Sequence, residues 1–220
     1  MYKDENNLYR EIRSFKLWAE KNHPNWDEEN DNGEWEIGVD NHFDEMVNAA
    51  LNVIENINSS DASEDIIDAL LFSIARDNEC EMLADTLIKY EGWFKILAQK
   101  SIDSKYINAQ WQIAKRLGKV EKCRDLIYEF IESDNEYTSR MALQALADID
   151  PEKAEEYAIK FWNRGKYPEG SYEDEYQKIM SLHVLHKIES EKLDEYCEKA
   201  LLLPYKWLKN NAEEMIKDNL

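Results

Sequence analysis

The densest group of metal-ligating side chains in the chain lies between Trp26 and Trp35. Glu28, Asn30, Asn32, Gly33 and Glu34 occupy offsets that a calcium-binding EF-hand loop uses around its glycine. Such a loop opens on Asp and closes on a bidentate Glu at its twelfth position, where this chain has Glu28 and Val39. The shell lacks its closing ligand, so the stretch reads as a solvated acidic loop. Histidine gives no better site. His183 and His186 share a helical face without a Glu-x-x-His partner, and Glu20-Lys-Asn-His23 is a single copy where a di-iron helical site requires two. There is no Gly-x-Ser-x-Gly turn, no phosphate-binding glycine loop and no cysteine in a catalytic signature. No metal or other cofactor is expected, although 47 acidic side chains leave room for a carboxylate pair in some groove.

Two zones of charge remain. No Lys or Arg occurs between Asn22 and Ala75, while fourteen acidic residues run from Asp27 to Asp68. An array of carboxylates with tryptophans can attract and hold a positively charged protein surface. Trp26, Asp27, Glu28, Glu29, Asp31, Trp35 and Glu36 are the candidate contacts, the alternative being that both tryptophans fold back to cap the first helix pair. Between Lys95 and Arg124 the balance reverses, with eight cations against Asp103 and Glu121. Lys115 and Arg116 end one helical pattern, where positive charge complements the helix dipole; Lys119 and Lys122 open the next, where it does not. These four are a candidate anion site, or else a solvated helix edge. A net charge of −20 argues against nucleic acid, whose affinity comes from Lys and Arg releasing counterions.

The elements that must position these residues are helices. Six Gly and four Pro in 220 residues are too few for the tight turns of an all-β protein. Apolar residues recur at helical spacing, as in Leu8, Ile12, Phe15 and Trp18, or Phe43, Met46, Val47, Ala50 and Ile54. The pattern predicts helices near 5–21, 42–57, 62–76, 79–90, 91–101, 104–117, 119–132, 135–148, 151–163, 172–188, 190–203 and 204–217, with a long connection from His23 to Asn41. Trp18, Trp93, Trp111, Trp162 and Trp207 fall in the apolar stripes and are expected in the core. Cys80, Cys123 and Cys197 are odd in number and far apart, and are expected as buried free thiols. No stretch approaches a signal peptide or a membrane span, so the reading is a cytoplasmic protein with no membrane partner.

Worn internal repetition is visible. INAQWQIAKRLGKVEKCRDLIYEFI aligns with SRMALQALADIDPEKAEEYAIKFW about 32 residues on, and KIMSLHVLHKIESEKLDEYCEKAL is a looser third copy. The segment Leu126 to Asp150 resembles a unit of the HEAT family, with Asp134 at the turn, Arg140 early in the second helix, then Ala142, Ala145 and Leu146. Ser139 stands where that family prefers Val. The resemblance implies an all-α, short right-handed superhelix of antiparallel helix pairs, of the HEAT or armadillo kind. Residues 61–220 would be the repeats of a single domain, and 1–60 a divergent acidic cap. It also implies a binding surface in place of a common active site. The expectation is a non-enzymatic protein-binding solenoid, such as an acidic inhibitor or immunity-type protein for a basic partner. Two alternatives stand beside it: an enzyme or small-ligand binder with its site in the groove, and a peptide-binding scaffold.

Overall fold

A computed structural model describes residues 3–28 and 41–218. Among these residues there are twelve α-helices and no strand. The chain divides into two compact units, Met1–Phe130 and Ile131–Leu220. That division lies inside the segment that resembles a HEAT unit.

The first unit contains α1 (Lys3–Asn22), α2 (His42–Asn56), α3 (Glu64–Arg76), α4 (Met82–Leu87), α5 (Glu91–Ser101) and α6 (Ile107–Ala114). α1 buries Leu8, Ile12, Phe15 and Ala19, the three-and-four spacing of one helix face, against α2 and α3. α3 is buried on nearly all sides, because α1, α2, α4, α5 and α6 all pack on it. Its start is fixed by the Ser63 hydroxyl, which accepts the Ile66 N–H at 3.3 Å. Trp93 anchors α5 by donating its ring N–H to the Ile57 carbonyl at 2.9 Å.

Two expected helices are shorter than their apolar pattern. The one expected at 79–90 is reduced to α4, since Glu81 sits at φ 53°, left-handed backbone that a helix cannot pass through. The one expected at 119–132 begins only after Val120, which is extended; 3-10 turns cover Glu121–Leu126, and α7 (Ile127–Ile131) carries the boundary between the units.

The second unit contains α8 (Glu136–Leu146), α9 (Pro151–Asn163), α10 (Tyr172–Lys187), α11 (Leu193–Leu202) and α12 (Lys206–Asp218). Three of these open on side-chain caps: Asn135 accepts from Thr138 N–H, Asp150 from Lys153 N–H ahead of Pro151, and Ser171 from Asp174 N–H. Each helix packs on its successor, and α10 also touches α8 and α12.

Three residues depart from expectation. Trp18 is only half-buried, whereas Trp93, Trp111 and Trp162 are core. Trp207 is 51% exposed, not core: the buried stripe of α12 is Leu208, Ala212 and Met215, and Trp207 lies about 100° away from it. Cys80 is exposed because it falls in the turn before α4, outside any helix, whereas Cys123 and Cys197 are buried free thiols.

Candidate functional site

The clearest concavity in the first unit is a groove of about 720 Å³ between α1 and α3, closed at its base by Tyr106. Its floor is apolar: Ile12, Ala69 and Phe72 are buried, and Leu17 stands on the rim with 58% of its surface exposed. The α1 wall carries Arg13 and Lys16, with Glu20 at its far end, and the α3 wall carries Glu64, Asp65 and Asp68. Some of these charges are already engaged. Lys16 reaches Glu28 at 2.9 Å, Glu64 accepts from Lys100 at 2.7 Å, and Asp68 accepts from the Tyr106 hydroxyl at 3.3 Å. Arg13 and Asp65 are exposed and make no ion pair with any described residue. Burial, reinforced by the charges of Asp68 and Glu28, raises the Tyr106 phenol well above its ordinary value, so it stays a donor.

Next to this groove the long connection leaves α1. Trp26 is half-buried, edge-on to Phe15 at 5.9 Å. Arg76, at the last position of α3 and fully buried, lies against Phe72 at 4.9 Å and Trp26 at 6.0 Å and donates to the Glu28 carbonyl. The Glu28 carboxylate joins Lys16 to Lys105, at 2.9 and 3.4 Å. Burial alone would raise its pKa, but the Lys16 hydrogen bond and the two ammonium charges outweigh it and hold the carboxyl below its usual value. Of the expected partner contacts, therefore, Trp26 and Glu28 are tied to the helices of this unit. Asp27 is exposed, though engaged in further contacts. Glu29, Asp31, Trp35 and Glu36 lie outside the described residues.

The basic turn has a folding role. Arg116 is 3% exposed and bridges Glu81 and Asp85 at 2.6 and 2.8 Å, while also donating to the Gln112 carbonyl. Lys115 joins the same Glu81 at 2.8 Å, and Lys122 pairs with Glu91 at 2.6 Å. Lys119 is exposed, without an ion pair among the described residues. Three of the four candidate anion ligands are thus occupied by carboxylates of the chain itself.

Within the second unit, the HEAT-like Arg140 does not meet Asp134. It pairs with Glu136 at 2.9 Å and lies between the rings of Tyr137 and Tyr176, while Asp134 pairs with Lys166. His183 contacts Asn211 at 2.8 Å, and no group of three or more His, Cys, Asp or Glu among the described residues could hold a metal. No described helix is long and apolar enough to cross a membrane.

No family model, curated protein or solved structure matches the chain. Function is read from the residues themselves. Sequence reasoning did not find the α1–α3 groove, whose walls are about fifty residues apart in the chain. Arg76 did leave a signal: it is the first cation after the acidic stretch and closes the apolar run DALLFSIAR.

Proposed function

We propose that this is a non-enzymatic binding protein, a HEAT-like stack of helix pairs whose first unit engages a basic protein partner. One observation carries the reading: the cations of the basic zone are largely consumed inside the chain, whereas the acidic stretch keeps carboxylates with nothing to neutralise them. Asp44, Glu45, Glu55 and Asp65 have no ion pair among the described residues, while Lys100, Lys105, Lys115, Arg116 and Lys122 all do. A field of this kind accelerates encounter with a positive surface and repels polyanions. The packing of helices on their successors and next-but-one neighbours within each unit supports the repeat architecture. An inhibitor or immunity-type protein covering a basic toxin or nuclease is the concrete form.

The test is capture from the native host's lysate on immobilised protein at low salt, followed by a salt gradient and mass spectrometry. The expected result is a specific basic protein released as salt rises. Retention of nothing basic, or of a partner indifferent to salt, would overturn the reading.

A further inference from the structure

The α1–α3 groove has a form that charge attraction alone does not require. Its lining runs along α1 from Tyr9 to Glu20, about 16 Å of helix axis, and along α3 from Glu64 to Phe72, about 12 Å. We propose that this groove docks an amphipathic helix of the partner, with its apolar face on Ile12, Ala69 and Phe72, its basic edge along α3 and its acidic edge along α1. The proposal rests on the binding reading above and specifies which segment of the partner is recognised.

Three features select such an occupant. The first is length: two to three turns of helix cover the whole groove, whereas a compact ligand touches only part of it. The second is the backbone. The interior peptide groups of α1 and α3 are bonded within their own helices, so an extended peptide laid on the apolar floor would leave its N–H and C=O groups unpaired, while a helix satisfies its own. The third is charge. Arg13 and Asp65 line the same groove yet lie too far apart to pair with each other, and neither has another ion-pair partner among the described residues. A carboxylate on one edge of the incoming helix and a Lys or Arg on the other gives each of them its missing counter-charge, and the helix covers exposed Leu17.

The experiment uses the full chain labelled with ¹⁵N and a lactam-stapled helical peptide of about 15 residues, with Leu at helical spacing on one face, Lys along one edge and Glu along the other. A second peptide carries Glu on both edges. The expected result is saturable binding of the mixed-edge peptide, with backbone amide shifts at Ile12, Lys16, Asp65 and Ala69. Asp65→Lys, an exposed substitution that leaves the fold intact, should weaken the mixed-edge peptide about tenfold and make the all-Glu peptide the better ligand. Ala69→Trp should abolish binding by filling the floor. The proposal is overturned by no saturable binding below about 1 mM, by shifts that fall elsewhere, or by affinity unchanged in both variants. If the basic partner captured from lysate still binds Ala69→Trp, the groove proposal fails and the binding reading stands; if wild-type protein captures no basic partner, the binding reading itself fails.

Discussion

Among the described residues the first unit buries charges of both signs, Arg76 and Arg116 together with Glu5, Glu11 and Asp77, whose carboxylate accepts the Leu83 N–H at 2.7 Å, whereas the second unit buries only anions. In the first, a fully buried cation, Arg76, holds acceptors: it lies against Phe72 and Trp26 and donates to the Glu28 carbonyl at the start of the acidic connection. In the second, two buried anions hold donors. Glu175 accepts the N–H groups of Trp207 and Leu208 at the start of α12, and Asp174 accepts from Lys178 and the Tyr205 hydroxyl, which itself takes the Gly170 N–H. Both arrangements satisfy backbone groups that would otherwise be stranded. The difference lies in what is held. Glu175 fixes one helix to another, an internal task, whereas Arg76 fixes the end of a segment whose sequence then carries four acidic residues from Glu29 to Glu36 and Asp40 beyond.

The largest effect should follow from removing the fully buried cation. Arg76→Ala leaves a cavity and strands the Glu28 carbonyl, and should cost the first unit about 3–5 kcal/mol in chemical denaturation, with altered Trp26 fluorescence. Hydrogen-exchange protection of α10 and α12 should remain unchanged; a matching loss there would erase the contrast between the units. The mirror experiment is Glu175→Ala, which frees two N–H groups at the α12 terminus and should cost about 2–3 kcal/mol, read as increased exchange at Trp207 and Leu208 while α1 and α3 stay protected.

Legibility of the sequence follows the same division. All twelve helices were readable because their apolar positions recur at helical spacing and several start on Ser, Asn or Asp caps. Local backbone defeated the pattern at Glu81 and Val120, where left-handed and extended conformations shorten helices whose apolar residues continue past them. Trp207 was misplaced by one position, the difference between the α12 stripe and its flank. The charge imbalance was legible. Its neutralisation was not: Lys115 and Arg116 find Glu81 and Asp85 thirty-odd residues away, pairings that only the packing of α4 against its neighbours decides. The groove escaped for the same reason, since it belongs to neither α1 nor α3 alone.

A smaller effect concerns pH. The Glu28 carboxyl is held below its unfolded value, so its bridge to Lys16 and Lys105 stabilises the folded state above the unfolded carboxylate pKa and is lost as pH falls through the depressed folded value. Trp26 fluorescence should change in that acid window and be flat above it, and Glu28→Gln should remove the transition. Smallest of all, Lys105→Ala removes the longer arm of the bridge at 3.4 Å together with the ammonium's contact with the Tyr106 ring at 5.2 Å, and should cost less than about 1 kcal/mol, with most of the difference gone at high salt.

The two units are almost equally acidic for their length, with 27 acidic and 15 basic residues in 1–130 against 20 and 12 in 131–220. If net charge alone attracted the partner, reversing charges in either unit would have the same effect. The decisive measurement is lysate capture by three proteins side by side: wild type, a first-unit variant with Glu45→Lys, Glu55→Lys and Asp65→Lys, and a second-unit variant with Glu152→Lys, Glu173→Lys and Glu198→Lys. All six positions are exposed and without ion pairs among the described residues. The first-unit variant should lose the basic partner, and the second-unit variant should retain it. Equal losses in both, or retention by the first-unit variant, would contradict the assignment of binding to the first unit.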